Sequence, residues 1–211
     1  MKHRQEALLQ PGKVLLMGNN HGTIVLASAS PRRTELMELA GISFSVVPAD
    51  ICEDVLLGEL PADHVIRLSR EKADAVATKK DGRFFIGADT IVVLDGVILG
   101  KPADAADATR MLSGLSGRDH DVITGFTVFD KVSGVHISRS VCTEVTFKKL
   151  TEKEIAAYIA TGCPMDKAGA YAIQGGAVHF VRSITGSYTN VIGLPMTELY
   201  EVLLTMQAID Q

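Results

Sequence analysis

Apolar positions follow two rhythms along this chain. Short continuous apolar runs at Thr23 to Ala27, Phe44 to Val47, Phe84 to Ile86 and Ile91 to Leu94 predict strands buried on both faces. Asp95-Gly96 is a tight-turn dipeptide, so Val97 to Leu99 is predicted to pair back as a hairpin. Val122 to Phe129 and Val135 to Phe147, joined at Lys131 to Gly134, predict a second antiparallel hairpin, and Ala177 to Ile184 a last strand. The other rhythm is helical. Ser30-Pro31 opens a helix that runs to about Ala40 and closes at Gly41. Pro61 to Thr78 carries Val65, Leu68, Ser69, Lys72 and Val76 on one face. Asp104 to Leu115, with Ala105, Ala108, Met111 and Leu112 inward, is a third helix. Thr151-Glu152-Lys153-Glu154 is a capping box that starts a fourth, ending at Gly162. Pro195 to Gln207 closes the chain, after a loop from Thr185 to Gly193. Strands alternating with helices, with hairpins inserted, predict an α/β fold built on a mixed sheet.

Three departures from this pattern carry candidate chemistry. Asp89 falls inside a strand-like run, where a carboxylate is costly unless it is paired, hydrogen-bonded or metal-bound. If the hairpin closes at Asp95-Gly96, Lys101 returns to the level of Asp89. A structural ion pair and a reactive acid–amine pair are both open readings of that meeting. Lys72 interrupts the apolar stripe of the long helix. It either snorkels to the edge or points inward at a carboxylate or phosphate. Arg32 and Arg33 fall in the first helical turn, where the dipole disfavours cations. With the free backbone N–H groups and a serine hydroxyl, that placement suits a bound anion better than a solvated arginine pair.

Composition narrows the classes. At 211 residues and net charge −4, the chain is no nonspecific nucleic-acid binder and carries no polybasic membrane anchor. No apolar run approaches the ~20 residues of a membrane span. Cys52, Cys142 and Cys163 form no CxxC and no zinc set, so reduced thiols in a cytoplasmic protein are expected. Residues 1–22 lack a clean signal-peptide core, because Gln10, Pro11 and Lys13 interrupt it, and read as an irregular extension. Gly162 to Gly176 is a long Gly-rich polar loop, a type that is usually functional. GxGxxG, HExxH and GxSxG are absent, and the scattered histidines receive no role.

Four motifs in one order, Ile24 to Arg33, Gly87-Ala88-Asp89-Thr90, Gly100-Lys101-Pro102 and Gly162 to Gly175, resemble the Maf family of house-cleaning nucleoside triphosphate pyrophosphatases. The resemblance implies a fold like that of inosine triphosphate pyrophosphatases, with two lobes around a long mixed sheet and a cleft between. It covers a single domain over residues 23–211 and leaves the first 22 outside. It implies cleavage of the α–β bond to a monophosphate and pyrophosphate with a divalent cation, Mg²⁺ or Mn²⁺, and leaves a homodimer open. By position, Asp89 matches the catalytic acid and Glu53 and Asp89 the metal ligands. Ser28, Arg32 and Arg33 match the phosphate loop, Lys72 and Lys101 the charged cleft, and Asp166, Lys167 and Gln174 the second-lobe motif. Here Cys52 precedes Glu53 and Asp54 follows, where the family often has adjacent Asp-Glu.

The family divides into a branch acting on dTTP and UTP, with related pyrimidine nucleotides, and a branch acting on 7-methyl-GTP. The Ser-Pro-Arg-Arg run, with Arg33, Thr90 and Gln174 at the specificity positions, resembles the first. Gln174 offers both a donor and an acceptor, which the uracil or thymine edge requires and which a flipped amide could also offer to cytosine. Two rival functions stand beside this one: a non-catalytic nucleotide-binding regulator of septum formation, and a phosphatase releasing one phosphate at a time.

Overall fold

A computed structural model describes residues 22–210. The expectation for the N-terminal extension concerns residues that, Gly22 apart, lie outside that range. The apolar runs form one seven-stranded sheet. In chain order the strands are β1 (Ile24–Ala27), β2 (Ser45–Val46), β3 (Phe84–Leu94), β4 (Val97–Leu99), β5 (Asp119–Asp130), β6 (Val135–Phe147) and β7 (Val181–Thr185). The spatial order is β2-β1-β3-β5-β6-β7, with β4 also on β3. β1 is parallel to β2 and β3, and every other pairing is antiparallel. The expected mixed α/β fold is therefore present. The helices are α1 (Pro31–Leu39), α2 (Pro61–Ala77), α3 (Ala105–Leu115), α4 (Glu152–Ala160), α5 (Tyr188–Ile192) and α6 (Met196–Thr205).

β3 is the spine, and its two edges differ. On one side it pairs continuously with β5 from Phe84 to Val93. On the other, β1 covers Phe84 to Gly87 and β4 covers Val92 to Leu94. No described strand pairs with residues 88–91 on that edge, so the sheet opens at Asp89. β4 is turned back by Asp95 and Gly96, both at positive φ (53° and 77°), the conformation a two-residue hairpin requires.

Side chains of β3 alternate between two packings. Phe85, Ile91 and Val93 pack on the α2 side, while Phe84, Ile86 and Ala88 join a core with α1 and α6. Val92 joins a second large core with α3, α4 and Phe180. α2 comes unusually near the sheet because two facing residues lack a Cβ. A methyl on Gly87 would lie 1.9 Å from the Ser69 carbonyl oxygen, and one on Gly125 2.5 Å from that of Val65. Val65, Leu68, Ser69, Lys72 and Val76 are all buried, as the helical spacing predicts.

Some boundaries differ from the sequence reading. β7 starts at Val181, because residues 174–180 form turns that tuck Ala177 and Phe180 into the core. α5 occupies part of the predicted loop at 185–193. It is only five residues long and is capped by Ser187 accepting from the Asn190 N–H, so no apolar period announces it. Ala105 is exposed, and Leu115 is buried with Ala108, Met111 and Leu112 instead. The capping box at Thr151 and Glu154 forms as read.

Candidate functional site

A cleft of about 760 Å³ lies at the open edge of β3, between the two large cores. All the residues singled out from the sequence line it: Ser28, Arg32, Arg33, Glu53, Lys72, Asp89, Thr90, Lys101, Asp166, Lys167 and Gln174. Because adjacent residues of a strand point to opposite faces, Asp89 and Thr90 serve different walls.

The Asp89 wall is ionic. Lys72, carried inward by α2, donates to Asp89 Oδ1 at 2.7 Å and lies 2.6 Å from Glu53 Oε1. Lys101 donates to Glu53 Oε2 at 3.2 Å. The result is an alternating row, Asp89–Lys72–Glu53–Lys101. This corrects the expected direct meeting of Asp89 with Lys101: the hairpin brings Lys101 to the cleft, but its partner is Glu53. It also settles Lys72, which points inward rather than snorkelling. The side chains of Lys72 and Asp89 are only 9% and 12% exposed, so removing Lys72 would leave Asp89 a nearly buried unpaired carboxylate, at a cost of about 3–5 kcal/mol, whereas removing the Asp89 charge leaves Lys72 paired with Glu53. Asp89 Oδ2 makes no hydrogen bond to a described residue. Burial pushes the Glu53 carboxyl up, but Lys72 and Lys101 outweigh it and hold it below the usual range.

Glu53 lies on an irregular segment that needs an anchor, and Arg67 of α2 supplies one. Its guanidinium donates to both oxygens of Glu59 (2.6 and 2.8 Å) and to the Asp54 carbonyl (3.0 Å). His64 Nδ1 lies 2.9 Å from the same Glu59. Hydrogen bonding from Arg67 is the main reason the Glu59 carboxyl is lowered to about 2. The signal was present as Arg67 and Glu71, one turn apart, but its larger partner, Glu59, lies outside the helix.

The Thr90 wall is mostly neutral, with one arginine at its back. Arg33 donates to the Gly193 carbonyl (2.7 Å), the Ala88 carbonyl (2.9 Å), Thr90 Oγ1 (3.0 Å) and Ser28 Oγ (3.2 Å). It satisfies the Ala88 oxygen on the edge where no strand does so. Burial lowers its pKa, Asp89 counteracts this, and an arginine keeps its proton regardless. Arg33 is thus a brace across the back of the site and not a cation of the wet first turn. Its neighbour Arg32 makes no side-chain hydrogen bond or ion pair to another described residue and faces the cleft. The Ser30 hydroxyl does not cap α1. Ser28 Oγ instead accepts from the Ser30 N–H at 3.2 Å and from Arg33, which leaves its own proton for the cleft. With no capping side chain and no acid in its first turn, α1 presents an N-terminus suited to an anion.

Across the cleft, the segment after α4 forms short 3₁₀ turns at Cys163–Asp166 and Ala168–Ala170. Asp166 pairs with Lys167. Gln174 is exposed, and its amide makes no hydrogen bond to a described residue. Tyr171 anchors this segment: its hydroxyl lies 2.7 Å from His120 Nε2, and both rings stand edge-on to Phe147. Burial lowers the His120 pKa to about 4.

Among the described residues no three His, Cys, Asp or Glu side chains cluster as a self-sufficient metal cage. Glu53 and Asp89, both in contact with Lys72, offer two carboxylates. That set fits a hard divalent cation that draws its other ligands from water and phosphate oxygens. Charge agrees with this fit. The cleft holds five cationic side chains (Arg32, Arg33, Lys72, Lys101, Lys167) against four carboxylates (Glu53, Asp54, Asp89, Asp166), which is too small a surplus for a polyphosphate alone.

Known proteins are similar to this chain over most of its length. The chain is 60% identical over 187 residues to a dTTP/UTP pyrophosphatase of Geotalea uraniireducens, covering 89% of this chain and 96% of that protein. It is 59% identical over 189 residues to one of Citrifermentans bemidjiense (90% and 98%) and 57% identical over 188 residues to one of Geobacter sulfurreducens (89% and 98%). A family model described as Maf-like protein matches residues 23–206. With that model spanning the whole sheet and every residue of the cleft, the chain belongs to the Maf-like proteins.

Proposed function

We propose that this protein hydrolyses dTTP and UTP between the α and β phosphates, releasing the nucleoside monophosphate and pyrophosphate. The observation that carries the reading is its similarity, over about nine-tenths of its length, to dTTP/UTP pyrophosphatases. The cleft supplies the physical case. Phosphoryl transfer asks a protein mainly to position and to stabilise charge. The α1 N-terminus, the Ser28 proton, Arg32 and Lys101 hold the phosphates. Asp89, oriented by Lys72 through Oδ1, uses Oδ2 to orient the attacking water and take its proton. Lys72 stabilises the charge that Asp89 carries between turnovers. Glu53 and Asp89 would hold Mg²⁺ or Mn²⁺, which when bound offsets charge on the phosphates. Gln174 and Thr90 meet the base, and Asp166 and Lys167 close the far end.

Residues 23–211 act as one catalytic domain. The three exposed free cysteines suit a reducing, cytoplasmic setting, and no described helix is long and apolar enough to cross a membrane.

The test is product analysis on purified protein with dTTP or UTP and Mg²⁺. Pyrophosphate and monophosphate in equal amounts are expected. Stepwise inorganic phosphate would indicate a phosphatase, and binding without product a regulator.

A further inference from the structure

The wall that carries Thr90 has a hydrogen-bond direction as well as a shape. Thr90 Oγ1 accepts from Arg33 Nη2, lies 2.9 Å from Thr124 Oγ1, and lies 3.4 Å from the Gly193 carbonyl oxygen. Thr124, on β5 and fully buried, donates to the backbone carbonyl of Asn190 at 3.0 Å. Each hydroxyl has one proton. With the Thr124 proton on Asn190, the 2.9 Å contact is made by Thr90 donating to Thr124. The opposite direction would give up the 3.0 Å bond and leave the Thr90 proton only the 3.4 Å contact, a weaker arrangement. The proton of Thr90 is therefore turned into the protein. One lone pair remains on the hydroxyl of Thr90, a half-buried residue that lines the cleft.

We propose that Thr124, held by the Asn190 carbonyl, is a positioning residue that fixes Thr90 as an acceptor toward the nucleotide and so sets the choice among pyrimidines. This rests on the nucleotide reading given above and deepens it. The cleft that Thr90 lines also carries Val92, Val122, Tyr171, Ile173 and Val191, apolar side chains that suit a flat base. In such a cleft an acceptor without a donor favours a base edge that donates. Uracil and thymine present N3–H, whereas cytosine presents an unprotonated N3 that would face the Thr90 lone pair. Gln174 can meet either base by flipping its amide, so it leaves this choice undecided; Thr90 cannot flip while Thr124 holds its proton. Sites with fixed hydrogen-bond polarity discriminate more strongly than apolar pockets do.

The experiment measures kcat/KM for UTP and CTP, by pyrophosphate release, in the wild type and in Thr124→Val, Thr124→Ser and Thr90→Val. Thr124→Val keeps the shape and removes the acceptor, while the Asn190 carbonyl keeps its bond from the Gly193 N–H at 2.9 Å. The wild type should favour UTP by at least about tenfold. Thr124→Val should lower that preference about tenfold, with part of the change a gain on CTP, because Thr90 can then donate. Thr124→Ser should restore it. Thr90→Val should remove most of it and decides the matter if Thr124→Val fails to fold. Equal losses on UTP and CTP in both valine variants would mean that the hydroxyls serve structure or the ribose, and would overturn the proposal while leaving the pyrophosphatase intact. A wild type that releases no pyrophosphate from either UTP or dTTP would overturn both.

Discussion

Asp89 and Thr90 are neighbours in sequence, yet they belong to walls of opposite character. Asp89 faces α2 and ends an alternating row of four charges, while Thr90 is held in a brace of hydrogen bonds. The alternation of a single strand produces the difference. An enzyme acting on a nucleotide must treat a polyanion and a flat base in one grip. A strand with a gap in its pairing partners offers two chemistries within two residues. The ionic wall is open to solvent at its outer end, where the Lys101 side chain is 60% exposed, and enclosed at its inner end, where Lys72 is clasped between Asp89 and Glu53. The neutral wall is fixed throughout by Arg33.

The sharpest contrast between the walls is their dependence on metal. Exhaustive chelation should abolish turnover, with rescue by Mg²⁺ or Mn²⁺, because the ionic wall alone has too few positive charges for a triphosphate. Pyrophosphate release that survives chelation would break the assignment of Glu53 and Asp89 as ligands.

The two arginines should separate next. Arg32→Ala should raise KM about tenfold while leaving the melting temperature unchanged or slightly higher, since it removes a cation from a helix N-terminus. Arg33→Ala breaks four hydrogen bonds and leaves buried acceptors unpaired, so it should cost several kcal/mol of stability as well as activity. Calorimetry and melting curves on both variants read this out. Equal stability losses would deny the division between phosphate cation and structural brace.

A smaller effect is expected at Gln174. Gln174→Ala should narrow the preference for dTTP over 7-methyl-GTP several-fold while kcat for dTTP changes little. A panel in which 7-methyl-GTP is already the better wild-type substrate would reassign the neutral wall to a methylated purine.

The least visible effect on activity lies in the anchoring of Tyr171. His120 is neutral in the fold because burial lowers its pKa to about 4, whereas an unfolded histidine titrates near 6.5. Its contribution to stability is complete above about pH 6.5 and is lost as pH falls toward 4, at most about 3 kcal/mol. His120→Gln, which cannot titrate, should flatten the acid slope of stability over that window. An unchanged slope would place the acid sensitivity elsewhere.

The sequence exposes these walls unequally. Asp89 and Lys72 are legible as charges at apolar positions, the first in a strand-like run and the second on a helical stripe. Their pairing is not, because it depends on how closely α2 lies on β3, which Gly87 and Gly125 set through contacts distant in sequence. Lys101 was expected opposite Asp89 because a hairpin ladder predicts level but not which acid lies within reach. Arg33 looked like Arg32, since both fall in one turn. Their fates diverge because Gly193, 160 positions away, comes to meet only one of them. The Thr124–Asn190 link left no periodic trace: one partner is a threonine among strand residues, and the other lies on a helix too short to show a pattern.

The most direct test of the account compares Asp89→Asn with the wild type on dTTP and 7-methyl-GTP in parallel, alongside a melting curve and a nucleotide-binding isotherm. Loss of a general base costs roughly 10²–10⁴ in rate. The account predicts a fall of that size on both substrates, with folding and nucleotide affinity largely retained and the ratio between substrates within about twofold of the wild type. Near-normal turnover in a folded Asp89→Asn protein, or a shifted substrate ratio, would contradict the separation of a reacting wall from a choosing wall.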